Sequence, residues 1–494
     1  MAEPMTPEWW LASLERKLVA RQTEMQKMDD YFEGCGPLPF VTKAHLPKVR
    51  NEFRQMLEDS RSNFMGLVVD ATKQRLRIDG FRLSASSDEA ADQASWSTWQ
   101  ANQMDSESQI AFTEALVKGV SYLSVWSPPD GSEFASIAVE DPLQTIVGYE
   151  PGTRRRAAAL KVWKDEWTGT DRANVYLPDG IHKFEAAGSE IGGATVSGNE
   201  STFGGPTTPV RGTSGMPSAP RWKPLPAPDD FVENPLGVVP IVALRNRPRL
   251  LREGESELAG VYRIQDQING FLFLLALAGY MGAHRQRWAI GIPLYDEDNK
   301  ALEPFDVAVD KLWATENPNA RFGDFEQTSL DGYLKAIDQK VQHIAITTFT
   351  PKHFLLPEGQ EPSGDAIKGA EAGLVKKVQD KQVTFGEGLE EAMRLARRFE
   401  GEGDTPVDSE ILWADAQIRT EAEITDAAIK RFQVGLSTWD QTCRDVGYSP
   451  QAIARMLEAF GGVAPTPNKA APVPVAAQPD GGGTLPDTHM RSTP

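Results

Sequence analysis

The sequence predicts an α+β chain, mainly helical, on three observations. Apolar residues recur at helical spacing through much of its length, above all between Gly254 and Phe399. Short β-branched and aromatic runs divided by turn residues fill the stretch from Gly119 to Glu185. A length of 494 residues is too great for one core, so about two to four packed units are expected. The balance of 40% hydrophobic and 24% charged residues is that of an ordinary globular protein. A formal net charge of −19 argues against broad, tight attachment to nucleic acid, which needs dense Lys and Arg. Any nucleic acid it meets should be held loosely.

From Glu8 to about Lys27, Trp10, Leu11, Leu14, Leu18 and Met25 mark an amphipathic helix, which the Gly and Pro residues between Tyr31 and Pro39 should break. A second helix is expected from about Lys48 to Leu67. Strand signals follow at Tyr122–Trp126, Ile137–Val139, Thr145–Val147, Ala159–Trp163 and Val175–Leu177, separated by turns such as Pro128-Pro-Asp-Gly131 and Pro178-Asp-Gly180. They predict a small antiparallel sheet packed on the flanking helices. Gly188 to Pro228, dominated by Gly, Ser, Thr and Pro, is expected to be a mobile loop, because it offers little apolar area to offset its ordering entropy. Val238–Leu244 restores an apolar strand, and the tail after Gly462 should be disordered.

Glu255 to His284 carries Leu258, Val261, Ile264, Ile268, Phe271, Leu272, Leu275, Ala278 and Met281 on one face, which predicts a helix of about 30 residues, opened by Glu253, Glu255 and Glu257 as dipole partners. Its apolar run Phe271–Ala283 is shorter than the roughly 20 residues that span a bilayer, so a helix buried in protein is expected. A module with strand and turn signals leads to a second helix from about Leu330 to Ile346, with Leu330, Leu334, Ile337, Val341 and Ile344 inward. Thr347 to Pro362, with three prolines, should be a loop. Ser363, as N-cap, opens a third long helix through Leu374, Val378, Phe385, Leu389 and Phe399, with a kink expected at Gly386 and Gly388.

No catalytic motif rises above noise: there is no G-x-x-x-x-G-K-[ST] phosphate loop, no H-E-x-x-H and no G-x-S-x-G elbow, so the expectation is a protein without enzymatic activity or cofactor. Cys35 and Cys443 stand too far apart to spell a disulfide framework or zinc site, and Met1 to Trp10 lacks the basic start and apolar run of a signal peptide. Tyr295-Asp-Glu-Asp-Asn299 clusters oxygens but lacks calcium-loop spacing, and His343 and His353 are split by a Pro-rich break, so no metal is expected. Arg154-Arg-Arg156 lacks stacking aromatics and reads as a turn surface or an intersubunit ion pair. Trp9, Trp10, Trp96, Trp99, Trp126, Trp163, Trp167 and Trp288 read as core or subunit-interface anchors.

In this order, Tyr31-Phe-Glu-Gly34, Val68-Val-Asp70, Arg75-Leu76, Gly80-Phe81, Trp96-x-x-Trp99 with Asn102, Glu114–Trp126, Asp141-Pro142, Gln286-Arg-Trp288, Phe322-Gly323, Thr350-Pro351, Ser363-Gly364, Phe385-Gly386 and Trp413 resemble the phage portal proteins of the siphophage type. The resemblance implies a dodecameric ring at one capsid vertex, conducting double-stranded DNA and partnered by the terminase, a head-to-tail adaptor, and the major capsid and scaffolding proteins, with no membrane. It implies a wing over residues 1–253, stem helices at 254–284 and 328–346, a clip at 285–327 and a tunnel loop at 347–362. Beyond these lie a long kinked helix at 363–402, a further part of the wing at 403–435 and a crown at 436–461. Lys335, Lys340, His343, Lys352 and His353 would then lie near the channel, where repeated copies make sparse positive or polar rings that touch passing phosphates. The commoner fate of such residues is solvation or pairing with acids. Tyr295, Asp296, Asp298 and Trp313 would lie in the clip, as candidates for docking the adaptor or terminase. The alternatives are an acidic helical scaffold or adaptor without a channel, and a hydrolase with scattered residues.

Overall fold

Helix α1 (Pro7–Phe32) starts where Thr6 caps it, its hydroxyl accepting from the Trp9 amide at 3.3 Å. It runs past the expected break because Tyr31 is buried and its hydroxyl donates to the Asp266 carboxylate at 2.7 Å. The computed structural model describes residues 5–40, 51–82, 89–129, 131–186, 222–250, 252–283, 287–291, 318–324, 329–355, 364–401, 409–417, 421–448 and 450–466. The second expected helix is two, α2 (Asn51–Asp59) and α3 (Phe64–Lys73), because the Asn63 side chain accepts from the Gly66 amide at 3.0 Å and starts a new helix there. Strand β1 (Ile78–Arg82) and helices α4 (Glu89–Ala101) and α5 (Met104–Lys118) follow.

The strand region makes two main antiparallel sheets where one was expected. Strand β2 (Val120–Trp126) lies between β3 (Ser136–Glu140) and a strand from farther along, so a three-stranded sheet forms. Strands β4 (Thr145–Tyr149), β5 (Arg156–Lys164), β6 (Asp171–Tyr176), β7 (Gly180–Ala186) and β8 (Trp222–Pro224) form the larger sheet, with β9 (Phe231–Glu233) also paired to β7. The strand signal of Val238–Leu244 is β10 (Ile241–Arg245), which completes the smaller sheet against β2. Period-two alternation sets the layers. Ile146, Ala158, Leu160 and Val175 pack under Leu11, Leu14 and Leu18 of α1, while Val147, Ala159 and Tyr176 pack on Tyr122 and Ile241 of the smaller sheet. Part of the stretch read as a mobile loop is therefore structured: Trp222–Pro224 pairs with Phe184–Ala186, while residues 187–221 lie outside the described residues.

Helix α6 (Tyr262–Ala283) is 22 residues long and begins later than the periodicity suggested. The Glu255 amide donates to Asn246 O at 2.8 Å and the Glu257 amide to Leu116 O at 2.9 Å, so this backbone is committed to neighbours before a helix can start. Strands β11 (Arg287–Ile290) and β12 (Arg321–Asp324) pair antiparallel, and α7 (Asp331–Thr348) returns along α6. One helical turn, α8 (Lys352–Leu355), interrupts the expected loop. Helix α9 (Gly364–Phe399) then runs 36 residues without a break, and β13 (Glu410–Trp413) closes a two-stranded sheet with β1. Ser363, the expected cap, lies outside the described residues. The main core gathers Val68, Phe112, Leu123, Leu258, Ile344, Leu374, Phe385 and Leu389 around α9. No helix among the described residues is long and apolar enough to cross a membrane.

Residues 417–494 form a second compact unit. Its helices are α10 (Glu421–Gln433), α11 (Trp439–Val446), capped by Thr438, and α12 (Pro450–Ala459). Arg431 and Asp445 pair at 3.2 Å, and Cys443 and Ile453 are buried.

The glycines of α9 are distinguished by packing. A Cβ at Gly388 would lie 2.6 Å from Leu244 Cδ2 and 3.1 Å from Ala243 O, so the helix crosses β10 at a distance only Gly permits; at Gly386 the nearest atom is 3.5 Å away. Gly388→Ala should therefore cost about 1–3 kcal/mol by overpacking. Gly386→Ala should be neutral or stabilise by up to about 1 kcal/mol through helix propensity. Denaturant unfolding of the two variants checks both; equal effects would refute the packing account.

Candidate functional site

The α6/α7 hairpin carries the residues singled out on sequence grounds. At 3.6 residues per turn, Lys335, His343 and Lys340 spread over an arc of about 140° on α7, opposite the buried Val341, Ile344 and Ala345. Lys335 and His343 are exposed and Lys340 is half-buried. Lys352 and His353, on α8, turn instead toward acids of the same chain. Lys352 Nζ is 3.2 Å from Asp338, and His353 Nε2 is 3.6 Å from Glu371, with its ring tilted against Phe354 at 4.5 Å. The structure thus separates three outward groups from two that face protein. Tyr295, Asp296, Asp298 and Trp313 lie outside the described residues.

The hairpin's apolar stripe is only partly buried. Leu330 and Leu334, expected inward, are exposed, Leu334 to 54%, because α7 meets the core only from Ile337 onward and is fully buried first at Val341. On α6, Ile268 is buried, whereas Phe271 to Leu275 are half-exposed and Tyr280 and Met281 exposed. The tryptophans divide similarly. Trp99 is 1% exposed, with its indole N–H donating to Asp105 at 2.8 Å, whereas Trp167, at the β5–β6 turn, is 98% exposed. Within the basic run, Arg156 pairs with Glu391 of α9 at 2.7 Å, and Arg154 and Arg155 are exposed.

Beneath the hairpin lies an ionic footing that sequence reading missed. Glu257, with 1% of its side chain exposed, meets Lys377 at 3.0 Å, Lys381 at 2.7 Å and Arg247 at 3.6 Å. Its contact with Lys381 is ionic rather than a well-aligned hydrogen bond. Burial by itself would raise the Glu257 pKa, but the three cations outweigh that and hold it at about 2. Burial pushes the Lys381 ammonium below its usual range despite the pull of Glu257. Lys377 Nζ also donates to Thr348 O, at the end of α7, at 3.1 Å. The available signal was Lys377 and Lys381 at i, i+4 among the apolar positions Leu374, Val378 and Phe385 of α9.

The other two acids expected to cap α6 are also ion-paired. Glu253 accepts from Arg21 at 3.1 Å, Tyr122 at 3.1 Å and Tyr149 at 3.0 Å; Glu255 pairs with Arg252 at 2.6 Å. Burial, reinforced by the Glu253 charge, drives the Tyr122 hydroxyl well above the usual tyrosine range, so it remains a donor. Arg75 pairs with Glu371 at 3.0 Å and donates to Ala416 O at 3.2 Å. Together these contacts make a fixed base for a hairpin whose far end leaves Leu334, Tyr280 and Met281 exposed. They assemble no acid–base or nucleophilic constellation.

A carboxylate with a depressed folded pKa stabilises the fold above its unfolded value, here 4.5, and that contribution disappears as pH falls toward about 2. Glu257→Gln should cost about 3–5 kcal/mol at neutral pH, since two buried ammonium groups, Lys377 and Lys381, lose their anion. Urea unfolding from pH 7 to pH 2 should show the wild-type advantage shrinking below pH 4.5; a gap constant across that window would refute the assignment.

A family model described as phage portal protein, SPP1 Gp6-like, matches residues 13–438. A portal protein of Mycobacterium phage D29 is 30% identical over 413 residues, covering 78% of this chain and 75% of that protein. A portal protein of Mycobacterium phage L5 is 29% identical over 426 residues, covering 81% and 78%. Among solved structures, the neck of an empty GTA particle computed with C6 symmetry matches 84% of this chain and 96% of its own at 10% identity and a TM-score of 0.41, a likeness too slight to bear on the fold.

Proposed function

This chain belongs to the SPP1 Gp6-like family of phage portal proteins, and we propose that twelve copies form a ring at one capsid vertex through which double-stranded DNA enters and leaves. The observation that carries the reading is the family match over residues 13–438, which includes the whole α6-to-α9 region. The exposed Leu330, Leu334, Tyr280 and Met281 on α6 and α7 support it, because exposed apolar side chains are stabilised by an apolar cover such as the next subunit. In this reading α6 and α7 are the stem helices, residues 285–327 the clip, residues 347–362 the tunnel loop, residues 1–253 most of the wing and residues 436–461 the crown.

The proposed mechanism is geometric and electrostatic. Lys335, Lys340 and His343, repeated around the ring, touch phosphates weakly within an otherwise acidic protein, so DNA is guided without being held. Lys352 and His353, turned to Asp338 and Glu371, contribute less to that contact. The ring docks the terminase and later the head-to-tail adaptor, with Tyr295, Asp296, Asp298 and Trp313 as docking candidates on sequence grounds. It assembles in the host cytoplasm with the major capsid and scaffolding proteins.

Negative-stain microscopy and native mass spectrometry of the purified chain should show closed rings of about twelve subunits, as a repeated head-to-tail contact that closes requires; failure to form rings under any condition would overturn the reading. The double substitution Lys335→Glu and Lys340→Glu should leave rings intact and reduce the yield of DNA-filled heads several-fold, by replacing phosphate attraction with repulsion. An unchanged yield would remove these two lysines from the channel.

A further inference from the structure

We propose that Lys377 is a positioning residue that couples both feet of the α6/α7 hairpin to α9, so that the hairpin tilts only when one buried ammonium releases two partners. The proposal rests on the reading that this hairpin lines the bore. Lys377 Nζ lies 3.0 Å from Glu257 Oε2, five residues before α6 begins, and donates to Thr348 O, in the last residue of α7, at 3.1 Å. An ammonium has three donors and can serve both feet at once. Lys381, one turn along α9, reaches only the first foot, through Glu257 at 2.7 Å.

The geometry of the second foot makes this contact matter. Immediately after Thr348 the chain reverses at Phe349, a non-glycine residue in the left-handed region with φ 56, and the Phe349 ring lies over Gly373 of α9, where an added Cβ would come within 3.2 Å of it. That reversal persists only where its surroundings hold it. The apolar packing at the base, in a core to which Val341, Ile344, Leu374 and Val378 all belong, is non-directional and tolerates a change of tilt. The two contacts of Lys377 are directional and sit at opposite feet, so they fix the angle that packing leaves free. The charged groups at this joint are Glu257, Lys381 and Arg247, all accounted for by their ion pairs.

The test uses assembled rings of wild type, Lys377→Met, Lys377→Arg and Lys381→Met, with amide hydrogen exchange read at residues 256–265 and 347–355. Lys377→Met should raise exchange at both segments at least several-fold while the β2 and α5 amides stay unchanged. Lys381→Met should raise it at residues 256–265 alone. Lys377→Arg, whose several donors can reach both partners, should restore wild-type exchange at both. DNA-filled heads should fall in yield with Lys377→Met and recover with Lys377→Arg. The proposal is overturned if Lys377→Met and Lys381→Met behave alike, if exchange rises throughout the protein rather than at the feet, or if heads fill normally with Lys377→Met. Should Lys377→Met not assemble, wild-type exchange at both feet of Lys377→Arg together with a rise at residues 256–265 alone in Lys381→Met decides in favour, and a rise at both feet of Lys381→Met decides against. A wild-type chain that forms no rings would instead sink the channel reading and leave the exchange comparison to be made on the subunit.

Discussion

A carboxylate with almost no solvent contact cannot stay ionised unless cations surround it, and the Glu257 site meets that condition with three. Much of the chain's arrangement follows from it. Glu257 belongs to the segment before α6, Arg247 to the turn after β10, and Lys377 and Lys381 to α9, so one anion ties three parts of the chain into a joint. Removing the anion of such a cluster leaves the buried ammonium groups without a partner, so the joint depends on Glu257. Its other feature is an excess of positive charge, two more cations than anions among these four residues, in a protein whose net charge is −19.

The same helix repeats the device along its length. Glu371 holds Arg75 near its start, Glu391 takes Arg156 from the larger sheet, and at its end Glu400 binds Arg397 at 2.6 Å while accepting from Thr98 at 2.8 Å and the Ala135 amide at 2.9 Å. Helix α9 is thus held by apolar packing over its whole buried face and located by ion pairs at intervals. Packing supplies most of the free energy, since burial scales with area; the ionic contacts add direction, which burial lacks. Such a helix suits a part that must bear against others without slipping.

How much of this was legible in the sequence depends on how local the cause is. Strands β2 to β6 and β10, and helices α7 and α9, were readable because their apolar spacing is local. The α2/α3 break was missed because one Asn cap outweighed a continuous pattern, and the first seven residues expected in α6 were lost to backbone bonds with Asn246 and Leu116, more than a hundred residues away in the second case. Splitting one expected sheet into two required β10 to pair with β2 across more than a hundred residues, a choice that no local signal encodes. At the site, Lys335 and His343 were legible as outward, whereas the partners of Lys352, His353 and Glu257 came from other elements. Leu330 and Leu334 were read inward because periodicity shows which face is apolar, not what covers it.

That last distinction bears on how the molecule divides its work. At its base the hairpin buries Val341, Ile344 and Ile268 and is ionically pinned within a single chain; at their far ends the same helices leave Leu334, Tyr280 and Met281 exposed. An apolar face left open by a fold that is otherwise well packed lowers the stability of the isolated subunit and returns that free energy on association. In the proposed ring, covering of the hairpin's exposed end would therefore come with assembly, while its inner half is set within one chain. A footing fixed before association is what allows identical copies to present the same hairpin angle, and a closed ring requires that sameness, because a small error of angle repeated around the circle leaves a gap.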